Sequence, residues 1–205
     1  MQSRGFTLVE MLVVITISAI LIAVAVPSFQ WTIARNRISD ASNLILSNLE
    51  YARMEASRRG NTVAMCRSLD VVTPSCSSAP TATADGNDWA VGWVVFEKAP
   101  GNVDESTVEA GDQVIFRQQG DGTGGARVMI HSSIGGNERY AYRPRGTGGV
   151  VGGAATFAID YGPVLTPISA ARDPATIALT NAARCLVLNI LGSARPVQAV
   201  GGVCP

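Results

Sequence analysis

The sequence predicts an α+β protein: one long N-terminal helix, about residues 6–59, packed for part of its length on an antiparallel β-sheet domain. Three observations predict it. Residues Met11–Val26 form an apolar run of sixteen residues whose polar members are Thr16 and Ser18. Beyond Pro27, apolar residues recur at spacings of three and four. From Thr62 onward the pattern changes to short runs rich in Val, Ile, Phe and Tyr, broken by glycines. A chain of 205 residues and 21.4 kDa has room for one domain of ordinary size and an appendage.

Counted back to Phe6, the first run is twenty-one residues, about 31 Å as a helix at roughly 1.5 Å per residue and close to the hydrocarbon thickness of a bilayer. A soluble core helix is seldom so apolar over such a length. A cleaved signal peptide is the other alternative, with Arg4 as its charged segment and Ala23 and Ala25 as the small residues a signal peptidase needs. Against cleavage after the run stands Glu10. A carboxylate inside an apolar segment costs about 2.5–3.5 kcal/mol on insertion scales unless a cation pairs with it, so it reads as a functional residue. Arg4 places the N-terminus on the cytoplasmic side. Pro27 removes a helical donor and crowds the preceding turn, which predicts a kink or local melting there.

The second half of the helix carries one stripe, Ala34, Ile38, Ala41, Ile45, Leu49, Ala52 and Ala56, that should face the domain. Asn48, Glu50, Arg53 and Glu55 fall among the polar remainder. Gly60 ends the helix, with Arg58 and Arg59 in its last turn where the macrodipole favours cations. Candidate strands follow at 62–66, 89–97, 113–117, 127–132, 140–143, 155–160, 176–180 and 184–191. Alternation sets Trp89, Val91, Trp93 and Val95 on one face of the second, as core. The glycine-dense stretches 120–125 and 146–153 read as loops. The first, GDGTGG, is followed by neither a lysine nor a helix, so it is no phosphate cradle.

Composition excludes most chemistry. His131 is the one histidine, which leaves no multi-histidine metal site and almost no catalytic triad. No cofactor and no metal are expected, and no enzyme. Sixteen basic residues balance sixteen acidic ones, so no global charge attracts nucleic acid. Locally the balance is uneven. Between Asp85 and Asp121 eight acids face Lys98 and Arg117, and between Arg127 and Arg195 seven arginines face three acids. Such halves suit docking between unlike neighbours through complementary patches.

The segment RGFTLVEMLVVITISAILIAVAVPSF, residues 4–29, resembles the N-terminal signature of type IV pilins and of the pseudopilins of type II secretion. The stretch Trp89-Ala90-Val91-Gly92-Trp93-Val94-Val95-Phe96 resembles the WxxGWxVF segment of their GspH/FimT branch, which includes FimU-like minor pilins. Val26–Phe29, Ala52–Ala56, Arg143–Gly146 and Leu186–Arg195 add to the likeness, which runs along nearly the whole chain. The resemblance implies a leader 1–5 removed by prepilin peptidase between Gly5 and Phe6, with N-methylation of Phe6. It implies a membrane and filament-core helix half at 6–26, an amphipathic half at 27–60 and a periplasmic domain at 61–205. Glu10 would pair with a neighbouring subunit's N-terminal amine during assembly, and Pro27 would mark where the helix bends.

The implied function is a minor pilin that primes type IV pilus assembly near the filament tip and links other minor pilins to the major pilin. The alternatives are a minor pseudopilin of type II secretion and a FimT-like, DNA-binding minor pilin that serves natural transformation. Cys66, Cys76, Cys185 and Cys204 allow three pairings, among which short loops favour 66–76 and 185–204 in an oxidising compartment. Four buried thiols remain the other reading. Family members that bind DNA use a Gly-Arg-x-Arg segment; Gly192-Ser193-Ala194-Arg195 keeps the glycine and the second arginine only. Arg139, Arg143 and Arg145 would have to join Arg195 for DNA to be a partner.

Overall fold

The computed structural model describes residues 7–76, 89–102, 107–120, 126–132, 139–144, 148–149, 155–163, 183–189, 192–199 and 204. The chain begins with a 52-residue helix, α1 (Leu8–Arg59). Thr7 caps it, its side-chain oxygen accepting from the Glu10 amide at 3.2 Å. Gly60 closes it in the left-handed conformation (φ 71°), its amide donating to the Ala56 carbonyl. The backbone is helical through Pro27, so the isolated chain shows no melting at that position.

Among the described residues nine strands follow: β1 (Val63–Arg67), β2 (Gly92–Glu97), β3 (Gln113–Gln119), β4 (Ala126–Ser132), β5 (Arg139–Tyr142), β6 (Gly148–Gly149), β7 (Ala155–Pro163), β8 (Arg184–Leu188) and β9 (Ala194–Gln198). They form two antiparallel sheets, β3-β2-β1-β5-β6 and β4-β7-β8-β9. Three departures from the sequence reading have local causes. Residues Trp89–Val91 form a single 3-10 turn rather than the start of a strand, so Val91 is only half-buried. Two residues of the expected loop 146–153 pair with β5 as β6. The expected strand 184–191 stops at Leu188, and the chain returns as β9, with the Gly192 amide donating to the Asn189 carbonyl. Pro196 hid that strand, and the sheet tolerates the proline because β9 is an edge. The expected strand at 176–180 lies outside the described residues.

The stripe on α1 does what its spacing predicts. Ala34, Ile38, Ile45, Leu49, Ala52 and Ala56 are buried, joined by Met65, Trp93 and Val95 of the first sheet and by Ile130, Phe157, Ile159, Leu186 and Leu188 of the second. The helix therefore sits across both sheets and holds them together. Trp89 marks the seam: its ring lies 5.7 Å from Tyr140 of β5 and 5.3 Å from Phe157 of β7. The other face of β1 and β2 carries a smaller cluster, Ala64, Cys66, Val94, Phe96 and Ala141, covered by Val71.

Disulfides join Cys66 to Cys76 and Cys185 to Cys204. The first closes the loop after β1, and that loop leans on Gly92. The Ser68 amide donates to the Gly92 carbonyl at 2.9 Å. Gly92 has φ 139°, and a Cβ there would stand 2.9 Å from the Gln118 carbonyl oxygen and 3.2 Å from that of Ser68. Backbone on both sides leaves no soft neighbour to give way, so the glycine of the WxxGWxVF segment is required by close approach. Gly92→Ala is expected to cost about 1–3 kcal/mol. Thermal unfolding of the purified chain checks this, and an unchanged midpoint would show that the loop adjusts freely.

Candidate assembly interface

The exposed surface of α1 is the site that the sequence singles out. Every large apolar side chain described between Leu8 and Ile22 stands exposed, from 46% at Val13 to 80% at Leu8. Helix propensity and the Thr7 cap shape this stretch, and nothing of the domain packs on it. The Thr16 hydroxyl is bonded back to the Val13 carbonyl at 2.8 Å, so the polar interruption is satisfied within the helix. Apolar surface on this scale is uncovered only in a lone chain. An exposed apolar surface of this size marks a site for a membrane or for another protein.

Among the described residues, no helix is long and apolar enough to cross a membrane. The side chains described without a break run from Thr7 to Ala23, about 25 Å of helix at roughly 1.5 Å per residue, short of the usual span. The expected span 6–26 includes Phe6, which lies outside the described residues, as do the leader 1–5 and the bond between Gly5 and Phe6. The side chain of Pro27 is likewise outside them.

Glu10 is exposed in the first turn of α1, where the positive end of the helix dipole favours a carboxylate. Its own amide is tied to Thr7, which fixes the backbone at the point where the charge emerges. The geometry presents an acid at the tip of an apolar rod, the arrangement a cation on a neighbouring chain can neutralise.

At the other end of the helix, the sequence reading missed a tertiary link. Glu55 is buried rather than facing water. Its carboxylate takes the Arg58 guanidinium at 2.7 and 2.9 Å, and Arg59 as well. Arg59 continues to Glu97 of β2 at 2.7 Å and to Gln113 of β3 at 3.2 Å, while Asn61 donates to Glu97 at 2.6 Å. Hydrogen bonds from Arg58 and then Arg59 hold the Glu55 carboxyl down at about 2. The hydrogen bond from Asn61 leads in lowering that of Glu97. Arg59 thereby locks the end of α1 to the first sheet, beyond the simple end-of-helix charge expected of it, while Arg58 braces Glu55 within the helix.

The acidic half of the domain also resolves differently. Glu97, Glu109 and Asp112, three of the eight expected acids, are engaged in internal ion pairs. Asp85, Asp88, Asp104, Glu105 and Asp121 lie outside the described residues. On the basic side, Arg139 and Arg143 belong to β5 and the turn after it, in the first sheet. Arg195 is exposed on β9, at the edge of the second. Arg145 lies outside the described residues. Gly192, the glycine shared with the DNA-binding segment, has φ 74° in the β8–β9 turn, where its amide donates to the Asn189 carbonyl. Turn geometry accounts for it. Among the described residues, no group of His, Cys, Asp and Glu is placed to hold a metal ion.

Comparison with known proteins gives a consistent set of relatives. Residues 1–26 match the prokaryotic N-terminal methylation motif, and residues 41–192 match the family described as type II transport protein GspH. The fimbrial protein EcpC of Eikenella corrodens is 49% identical over 41 residues. That alignment spans 20% of this chain and 27% of the relative's length. Two crystal forms of the type IV minor pilin FimU of Pseudomonas aeruginosa are similar structures. One covers 83% of this chain and 94% of its own, at 18% identity and a TM-score of 0.49. The other covers 82% and 96%, at 16% identity and a TM-score of 0.46.

Proposed function

Because the chain belongs to the GspH family and carries the N-terminal methylation motif, which together make it a non-enzymatic minor pilin or pseudopilin, we propose that it primes type IV pilus assembly. In this reading prepilin peptidase removes residues 1–5 and Phe6 becomes the methylated N-terminus. The helix half 6–26 anchors the subunit in the inner membrane, with the domain in the periplasm. Neighbouring pilin helices then replace lipid as the cover of that half, and the subunit joins other minor pilins to the major pilin near the filament tip. The observation that carries the proposal is the uncovered apolar half of α1 with Glu10 at its start. A neighbour's N-terminal amine paired with Glu10 removes the cost of burying that carboxylate, and only one axial register permits the pairing. Both disulfides suit an oxidising periplasm.

The test is made in the source cells with the full-length chain. Glu10→Leu is expected to be processed and inserted normally, since it removes a charge from the apolar run, yet to reduce recovery in sheared filaments at least about tenfold. Normal incorporation of that variant would sink the assembly role of Glu10. Deleting the gene distinguishes the two machines. Loss of surface pili with secretion intact supports the proposal. Exoproteins accumulating in the periplasm while pili persist would assign the chain to type II secretion instead.

A further inference from the structure

A pocket of about 270 Å³ opens between the middle of α1 and the β8–β9 hairpin of the second sheet. Ser39, Ser42 and Asn43 of α1 line one side, and Arg184 of β8 with Gln198 of β9 line the other. Arg184 and Gln198 stand opposite each other across the two strands. Arg184 has the parity of Leu186 and Leu188, which pack on the helix, so it leans towards α1. Arg195, the candidate for DNA, pairs with Val187 and has the opposite parity, so it belongs to the other face of the sheet.

Two features equip this pocket for a ligand. No acid lines it, and among the described residues Arg184 has no carboxylate partner. Ser42 is 5% exposed, yet among the described residues its hydroxyl makes no hydrogen bond. Ser47 and Ser57 on the same helix instead bond back to carbonyls of the preceding turn. A buried hydroxyl without a partner costs free energy, and the pocket gives a partner access to this one. A guanidinium fork, two hydroxyls and two amides are the donors that a carboxylate accepts from. Arg35, one turn before Ser39, adds a second positive charge on this side of the helix.

Size and place narrow the source of that carboxylate. The cavity is larger than a bare inorganic oxyanion fills, and it has room for an acidic side chain with its stem. Ser39 lies thirteen residues beyond Val26, about 20 Å along the helix, whereas headgroups extend only about 5–8 Å from the hydrocarbon. Lipid phosphate is therefore out of reach. The pocket does lie beside the helix whose exposed half forms the assembly surface.

We propose that this pocket takes a carboxylate of an unlike subunit seated against α1, from an acidic side chain or a chain end. Arg184 holds the carboxylate oxygens, Ser42 donates from beneath, and Asn43 and Gln198 close the rim. Apolar packing along residues 6–26 is non-directional, and a charged pocket above it selects which neighbour docks. The choice of an unlike subunit rests on the minor-subunit reading above, whereas the carboxylate chemistry does not.

Two measurements test this. The full-length chain in detergent micelles is titrated with N-acetylglutamate amide while the Arg184 Nε–H and Gln198 amide resonances are followed. A saturable shift is expected, absent with the glutamine counterpart. Arg184→Gln should weaken binding at least about tenfold and Ser42→Ala about threefold, both read at Gln198. Arg184→Lys should fall between Arg184→Gln and the parent, because an ammonium cannot fork. Thermal unfolding shows that each variant is folded. In the source cells, a photo-crosslinking phenylalanine analogue replaces Ser47, exposed one turn beyond Asn43. In sheared filaments it should join an unlike subunit within a few residues of an acid or a chain end, and Arg184→Gln should cut the yield at least about tenfold. No shift up to about 50 mM, an equal response to the glutamine derivative, inorganic phosphate bound as tightly, or a cross-link to a second copy would each overturn the proposal. Absence of the parent chain from filaments would instead sink the pilus reading and leave the titration to decide the pocket.

Discussion

Replacing Lys98 with Met is expected to destabilise the domain by about 3–5 kcal/mol, the usual consequence of removing one partner from a buried ion pair. Lys98 is 3% exposed, and its ammonium donates to Asp112 and Glu109, both at 2.7 Å, and to the Thr107 carbonyl at 3.2 Å. Methionine keeps the aliphatic stem but loses the ammonium that stands 5.6 Å over the Phe96 ring, and it leaves the fully buried Asp112 side chain without its cation. Burial alone would raise the Asp112 carboxyl. Hydrogen bonds from Lys98, from the Ala99 and Glu109 amides and from Asn102 outweigh it and hold the group at about 2. Unfolding of the detergent-solubilised chain should show the midpoint lowered on the order of 10 °C at pH 7. Lys98→Met/Asp112→Asn should recover much of the loss. A single variant within about 2 °C of the parent would contradict the ion pair's role.

The pH dependence has a definite sign. Asp112 ionises at about 2 in the folded chain against 3.8 ordinarily, and Glu55 at about 2 against 4.5. Both carboxyls bind protons more tightly when the chain is unfolded, so their contribution is complete above the ordinary values and is lost as pH falls towards 2. In Lys98→Met the unpaired Asp112 protonates at higher pH and ceases to be a buried charge. The gap between parent and variant should therefore narrow on acidification. A gap that stays constant from pH 7 to the acid transition would show that Asp112 is not the group left exposed to this cost.

Trp89→Ala is expected to lower stability by a similar amount, about 3–5 kcal/mol, through lost transfer energy and the cavity left behind. The indole is fully buried and edge-on to Phe157, with an interplanar angle of 85°. Tyr140 and Phe157, 4.8 Å apart, lie on different sheets and share Trp89 as their third partner. The substitution therefore weakens the seam between sheets as well as one packing site. Near-ultraviolet circular dichroism should lose intensity from the whole aromatic trio, and Trp89→Phe should retain more than half of the lost stability. A loss below about 1 kcal/mol would mean that the seam collapses around the gap at little cost.

What the sequence determined by itself is what repeats along a single element. The buried stripe of α1 follows from spacings of three and four, and its end from Gly60. Most strands were legible as β-rich runs between glycines, because burial on a pleated surface selects those residues locally. The processing motif was legible for the same reason, being contiguous. The tertiary structure decided whatever depends on residues distant in the chain. Glu55 looks like surface charge until its partner Arg59 is tied to the distant Glu97 and Gln113, and the carboxylate is then buried with its charge paired. Of the acids read as a docking patch, Glu109 and Asp112 instead hold Lys98 inside the domain. The second strand beyond Leu188 was not read from the sequence, and its Pro196 is tolerated because the topology places β9 at an edge. The sharing of strands between two sheets has no sequence period. It is set by which strands pair across long separations, and α1 with Trp89 packs both sheets into one core.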